Sequence, residues 1–360
     1  MARPSYASVD LDALRHNYQY AKRVHGGRAL AVLKANAYGH GSVACAQALA
    51  DVADGYAVAF VEEALVLRNA GVVGPILVLE GVFQADELEL VSTQGLWTVV
   101  HHDAQLRMIE TGRNRRLNVW LKVNSGMHRV GFSPAGTAAA YARLQGSGNV
   151  ANITLMTHFA RADEPTQDAT EQQISVFNSA TQGLAGDHSL CNSAGILGWP
   201  RARRDWCRPG ILLYGADPMP GALHGLKPVM TLQSEIFAVR TLQPGEALGY
   251  GGAYVAHRPT RVGLVAIGYA DGYPRTAPSG TPVAVDAMPT QLIGRVSMDM
   301  LTVDLSELPD TGVGSTVELW GNQVDVNAVA SASGTIAYEL LCNVKRVPLR
   351  YSSSPLNLPM

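Results

Sequence analysis

The chain has 360 residues, 47% of them hydrophobic and 16% charged, enough for two domains around a large core. A formal net charge of −2 gives no electrostatic reason to expect nucleic acid or an anionic membrane surface as partner, and no apolar run approaches the ~18 residues of a membrane span. The four cysteines, Cys45, Cys191, Cys207 and Cys342, lack CxxC spacing and read as reduced, buried thiols of a cytoplasmic protein.

The start, "MARPSYASVDLDALRHN", carries acids and no apolar core of signal-peptide length, so it is read as mature and unexported. From about residue 28 to 215, short β-rich runs alternate with helical stretches. The runs are "ALAVLKAN", "YAVAF", "PILVLEG", "WTVVH", "LNVWLKVNSG", "NITLMTHFA", "SLCNSAG" and "CRPGILLYG". Between them lie segments such as "SVACAQALADVA", "VEEALVLRNAG" and "DATEQQISVFNSATQGL". The runs are continuously apolar rather than alternating, as in parallel strands buried on both faces. This pattern predicts a (β/α)8 TIM-type barrel, with an open doubly wound sheet as the competing α/β arrangement. From about residue 228 the texture changes to β-rich segments broken by Gly/Pro turns, "VMTLQSEIFAVRTLQPGEALGYGGAYVA" among them, which predicts a mainly β C-terminal domain. A helical tail, "NAVASASGTIAYELLCNV", follows.

Polar residues sit at the ends of several barrel runs. Lys34 ends the first, Lys122 and Arg129 end or follow the fifth, and His158 ends the sixth. Asn192 and Ser193 end the seventh, and Arg208 precedes the pair Gly210–Ile211 in the eighth. A barrel gathers such positions at its C-terminal face, where these folds place their chemistry. The set is rich in cations and amide donors and poor in carboxylates, which suits an anionic ligand, a phosphate first of all. A lysine facing a phosphate site suggests a Schiff base to pyridoxal phosphate, since an unpaired buried ammonium is costly. The ten histidines form no metal-ligating spacing, so no metal is expected.

These stretches resemble the alanine racemases. "VLKANAYGHG" is similar to the pyridoxal-phosphate attachment motif of that family. The likeness continues in family order through "LKVNSGMHRVGF", "THFA", "NSA", "RPGILLYG", "GYGGAY", "GYADGYPR", "GRVSMDM" and "YELLCNVKRVP". The resemblance implies a barrel over 9–227, a mainly β domain over 228–360 and an N-terminal segment, 1–8, joining that second domain. It also implies a head-to-tail homodimer with shared active sites, acting on L- and D-alanine.

By the same resemblance Lys34 carries the cofactor and acts as one catalytic base, and Tyr254, from the other subunit, is the base on the opposite face. An ordinary tyrosine is a poor base at neutral pH, so Arg129 and His158 are expected to favour its phenolate as neighbouring cations. Arg129 also matches a contact to the cofactor's phenolic oxygen and to substrate. Lys122 matches a position often carbamylated. Arg208 matches the group opposite the pyridine nitrogen; an always-charged arginine there disfavours a protonated ring and restrains side reactions. Tyr38, Ser193, Gly210 and Ile211 match phosphate contacts, with Asn192 beside them. The Met298 backbone matches a contact to the substrate carboxylate. Tyr269, Arg275, Arg295 and Asp299 match the entrance corridor. Two departures stand out: Lys345 replaces a tyrosine that narrows the entrance in some members, and Ser297 replaces a cysteine. Two other readings fit parts of the chain, a barrel-type amino-acid decarboxylase and a non-catalytic pyridoxal-phosphate carrier. The first would want an acid at Arg208, and the second would not need the β domain.

Overall fold

The structure is a computed structural model that describes residues 3–112, 116–219, 221 and 224–353. The expected outer limits of the N-terminal segment (1–2) and of the C-terminal domain (354–360) lie outside the described residues.

Strand β1 (Tyr6–Asp10) leads into the helix Leu11–His25. Asp10 caps that helix by accepting from the Ala13 backbone N–H at 2.9 Å, and Gly26, at φ 83°, ends it in the left-handed conformation glycine adopts freely. Eight parallel strands follow: β2 (Arg28–Val32), β3 (Gly55–Val58), β4 (Ile76–Val78), β5 (Trp97–Val100), β6 (Leu117–Lys122), β7 (Val150–Met156), β8 (His188–Ser189) and β9 (Trp206–Cys207). They are hydrogen-bonded in the order β8-β7-β6-β5-β4-β3-β2-β9. Across the remaining seam the Arg208 N–H donates to the Cys191 carbonyl at 3.0 Å and the Ser189 hydroxyl to the Trp206 carbonyl at 3.0 Å. The eight strands therefore form a near-closed barrel, and the doubly wound alternative is excluded.

Strand limits differ from the sequence expectation at four places, one of them β7, which stops at Met156 and leaves His158 two residues beyond the strand. β2 stops at Val32, so Lys34 lies beyond the strand. Of "SLCNSAG" only Ser189 belongs to a strand, the short β8, because Asn192 caps the helix Ser193–Gly198 by accepting from the Gly195 N–H at 2.9 Å. Of "CRPGILLYG" only Cys207 belongs to a strand, the short β9; Pro209 brings no N–H to a ladder, and the chain turns into the 3₁₀ helix Ile211–Tyr214.

The second half is built on the long strand β10 (Met230–Leu242). With β11 (Ala247–Leu248), β12 (Tyr254–Val255), β13 (Thr260–Val265), β14 (Pro282–Val285), β15 (Met288–Gln291), β16 (Leu301–Asp304), β17 (Thr316–Trp320) and β18 (Leu349–Ser352) it makes the mainly β domain. β1 lies between β10, to which it is antiparallel, and β18, to which it is parallel. The tail forms two short helices, Val326–Ala332 and Ala337–Cys342, rather than one; Gly334, at φ 71°, breaks the register between them. One continuous apolar core runs from the barrel into this domain, and a small separate cluster of Leu242, Leu248, Ala256, Val262 and Ile293 packs under Tyr254. Among the described residues no helix is long and apolar enough to cross a membrane.

Candidate active site

A cavity of about 590 Å³ opens at the C-terminal ends of the barrel strands. The structure brings ten of the predicted residues around it: Lys34, Tyr38, Lys122, Arg129, His158, Asn192, Ser193, Arg208, Gly210 and Ile211. Lys34, Lys122, His158 and Arg208 sit at or just past strand ends on one face of the barrel, and Tyr38, Arg129, Asn192, Ser193, Gly210 and Ile211 come from the turns, loops and short helices that follow those ends.

Lys34 opens an unusual turn. Ala35, Asn36, Ala37 and Tyr38 all have φ between 51° and 54°, and Gly39 follows at 81°. This is a turn of left-handed helix, which costs an L-residue about 1–2 kcal/mol each. Only tertiary contacts can hold four such residues in a row. One result is the placing of Tyr38, whose phenol turns back toward β9 and the Gly210 backbone.

At that corner the Ser193 hydroxyl accepts from the backbone N–H groups of Gly210 (2.9 Å) and Leu212 (3.3 Å). A Cβ at Gly210 would stand 2.7 Å from the Tyr38 hydroxyl, so only glycine leaves this pocket open. Burial pushes the Tyr38 phenol up from its ordinary pKa, which keeps it a neutral donor. A hydroxyl, a phenol and a close backbone, surrounded by Lys34, Arg208, Arg129 and Lys122, fit the phosphate of a pyridoxal cofactor. Asn192 lines the cavity too, but its amide is engaged by Gly195 and by the Phe159 carbonyl at 3.4 Å.

Arg208 is 4% exposed. Its Nη1 donates to the Ser189 carbonyl (3.0 Å) and hydroxyl, and Nη2 to the carbonyls of Thr157 (2.6 Å) and Leu190 (3.4 Å). The fork is thus rigidly held while the side chain still lines the cavity. Burial lowers its pKa to about 10, so it remains cationic at neutral pH.

Lys122 is 7% exposed and has no ion-pair partner within 4 Å among the described residues. Burial brings its pKa down to about 8, with Arg208, Arg129 and Lys34 adding to the shift and Glu80 opposing it. Arg129 sits on a loop that doubles back on the end of β6, where Phe132 N–H donates to the Lys122 carbonyl (2.9 Å) and Asn124 N–H to that of Phe132 (2.9 Å). One expectation changes here. His158 was read as a cation, but burial, followed by Arg208, Lys122, Arg129 and Lys34, holds its pKa well below the usual histidine range. That direction favours a neutral imidazole at neutral pH, which leaves Arg129 as the cation of the expected pair.

The other predicted residues lie outside this cavity, on the β domain of the same chain. Tyr254 is half-buried, with its hydroxyl 3.4 Å from Thr260 Oγ1. Met298 is 53% exposed, and Asp299 accepts from Arg346 Nη2 at 3.0 Å. The Tyr269 N–H donates to the Ser297 carbonyl (3.0 Å), and Arg275 and Arg295 are exposed. Lys345 donates its backbone N–H to the Asp271 carbonyl at 2.9 Å.

The cavity also has walls that sequence reasoning missed. Glu80 stands at the end of β4, in a strand-end position like the others, and that signal was available in "PILVLEG". Ile336, Tyr338 and Cys342 come from the C-terminal tail of the same chain. Cys342 is exposed there, whereas Cys45, Cys191 and Cys207 are buried thiols as expected. Among the described residues no cluster could hold a metal ion.

Residues 9–218 match the model of the alanine racemase N-terminal domain, and residues 229–351 that of the C-terminal domain. The chain is 65% identical to an alanine racemase of Azoarcus sp. (strain BH72), over 97% of this chain and 99% of that one. It is 58% identical to the catabolic alanine racemase of Pseudomonas putida, over 97% and 99%. The crystal structure of the biosynthetic alanine racemase from Pseudomonas aeruginosa superposes with a TM-score of 0.95 at 49% identity, over 98% of this chain and 100% of that one. With the barrel, the β domain and the lysine–phosphate pocket in place, the chain belongs to the alanine racemase family.

Proposed function

We infer that the protein interconverts L-alanine and D-alanine by two-base proton transfer with pyridoxal phosphate, the cofactor of its family. The observation that carries this reading is the lysine at the mouth of the pocket formed by Tyr38, Ser193 and Gly210, with Arg208 fixed behind it. When bound, the cofactor withdraws electrons from the substrate α-carbon and makes its proton acidic. The chain supplies the rest. Lys34 Nζ removes or returns the proton on one face, and the Tyr254 hydroxyl of a second copy serves the other. Tyr38, Ser193 and the backbone of Gly210 and Ile211 bind the phosphate, with Asn192 keeping the adjoining helix in place. Arg208 would face the ring nitrogen of a bound cofactor, where a permanent cation would limit electron withdrawal and restrain side reactions. Arg129 holds the cofactor's phenolic oxygen and the substrate carboxylate, aided by the Met298 backbone N–H. His158 orients rather than transfers a proton. Tyr269, Arg275, Arg295 and Asp299 frame the entrance, where Lys345 sets its width.

In this reading the protein is a cytoplasmic head-to-tail homodimer, divided at 1–8, 9–227 and 228–360. Its equilibrium either supplies D-alanine for peptidoglycan or feeds L-/D-alanine catabolism. Support for the shared site comes from the exposure of Met298 and from the fact that Tyr254 does not line its own chain's cavity. The test is a racemisation assay over a panel of L-amino acids, serine included, with the ~420 nm absorbance of lysine-bound pyridoxal followed alongside. Alanine turnover with that band is expected; loaded protein with neither overturns the reading.

Lys122 is placed here as a carbamate, formed when its neutral amine attacks carbon dioxide and releases one proton, and the resulting anion positions Arg129. With its pKa near 8, the reactive neutral amine is a minor form at pH 7 and the major one at pH 9. A ¹³C carbamate signal from labelled bicarbonate should therefore grow across that range and vanish in Lys122→Met. No signal at pH 9 in excess bicarbonate excludes the modification.

A further inference from the structure

The buried histidine of "AYGHG" takes part in none of the steps above. His40 is 0% exposed, and its Nδ1 lies 2.9 Å from the Tyr38 carbonyl oxygen and 3.0 Å from that of Ala37. Both partners only accept, so Nδ1 carries the proton. Nε2 is buried without a partner, as befits a neutral ring, and burial lowers the His40 pKa to about 4. The two carbonyls belong to the left-handed turn that starts at Lys34. The imidazole also stacks on Tyr214, with centroids 4.5 Å apart and planes at 28°. Tyr214 in turn stacks on Tyr38 at 4.7 Å and 29°. Its hydroxyl donates to the Val32 carbonyl at 2.7 Å, the last residue of β2. The histidine, the two tyrosines and the strand end thus form one packed unit, and its outer member carries the phenol beside Gly210.

We propose that His40 is a positioning residue: its Nδ1–H clamps the left-handed turn, with Tyr214 as a rigid spacer, and so fixes the Tyr38 hydroxyl at the phosphate corner. By this means it sets the preference of the pocket for a phosphorylated over an unphosphorylated pyridoxal. The inference rests on the phosphate reading of Tyr38, Ser193 and Gly210 given above. An arrangement of non-glycine residues that disfavours itself needs such a lock, and a buried donor shared by two carbonyls is a strong one.

The experiment titrates cofactor-free protein with pyridoxal phosphate and, separately, with pyridoxal, and takes the ratio of the two affinities. His40→Phe keeps a ring against Tyr214 and removes the donor. It is expected to lower the ratio roughly tenfold, the scale of a lost buried hydrogen bond, with pyridoxal affinity little changed. His40→Asn puts an N–H near the position of Nδ1 and should restore the ratio to within about threefold of the unaltered protein. Equal weakening of both ligands in His40→Phe, or failure of His40→Asn to restore the ratio, overturns the proposal. Tyr38→Phe separates the two readings. An unchanged ratio there overturns the phosphate assignment and the proposal with it. A lowered ratio in Tyr38→Phe beside an unchanged one in His40→Phe overturns the His40 role alone. In the unaltered protein, spectra of ¹⁵N-labelled histidine should show the His40 proton on Nδ1. A proton on Nε2 overturns the proposal even where His40→Phe does not fold.

Discussion

Lys34→Ala is expected to abolish the ~420 nm absorbance of lysine-bound pyridoxal and to lower alanine racemisation by roughly a thousandfold or more. The reason is that one side chain does two jobs. It holds the cofactor covalently between turnovers, and its freed amine is the base on one face of the α-carbon. Nothing else in the cavity replaces it. Lys122 is buried and tied to the Arg129 loop, and Arg129 and Arg208 cannot shed a proton at working pH. The fold should be indifferent to the change. Lys34 is half-buried and makes no hydrogen bond or ion pair among the described residues, so thermal stability is expected to stay close to that of the unaltered cofactor-free protein. Racemisation within about tenfold of normal in Lys34→Ala would refute the assignment.

Tyr254→Phe is expected to reduce racemisation by roughly 10²–10⁴-fold, the usual contribution of a positioned acid–base group. The loss in kcat/KM must be equal in both directions, because the equilibrium between two enantiomers is fixed. What should survive is solvent exchange of the α-hydrogen in whichever enantiomer presents it to Lys34. Exchange without inversion is the signature of a site that has lost one of two bases. The substitution removes little else, since among the described residues the hydroxyl's hydrogen-bonding contact is the 3.4 Å one with Thr260, which already donates to the Arg258 carbonyl at 2.9 Å.

The same variant tests the shared site. In this structure Tyr254 does not line the cavity of Lys34, so the two bases meet only if a second copy brings the β domain over the barrel mouth. Inactive Lys34→Ala and Tyr254→Phe chains, unfolded and refolded together, should then recover about a quarter of normal activity, because half the dimers carry one intact site of two. No recovery with hybrid dimers present excludes the arrangement, and exchange accompanied by normal inversion in Tyr254→Phe excludes Tyr254 as a base.

Much of the site was legible because strand ends are legible. Apolar runs that become parallel barrel strands place the residues that follow them on one face, and Lys34, Lys122, His158 and Arg208 were found that way. The last two strands were overread, since Asn192 and Pro209 cut them short through a cap and a missing donor. His158 was read as a cation because its type suggests one. Its preference for the neutral form follows from burial among Lys34, Lys122, Arg129 and Arg208, four cations drawn from separate strands and loops. Ile336, Tyr338 and Cys342 were invisible as cavity walls because they lie about three hundred residues from Lys34 in the chain, and helical periodicity says nothing about what a helix end covers.

By itself the sequence determined the barrel, the β domain, the family and the set of residue types that bind a phosphorylated cofactor, since these depend on local pattern and on motifs that stay contiguous. Tertiary structure alone decided the left-handed turn at Ala35–Tyr38, which no local propensity favours and which His40, Tyr214 and the open face of Gly210 impose. It alone set the rigid fork of Arg208 on the barrel seam and the burial that lowers the proton affinity of His158 and Lys122. Conformational strain and proton affinity are properties of surroundings, and those surroundings exist only once distant segments have packed.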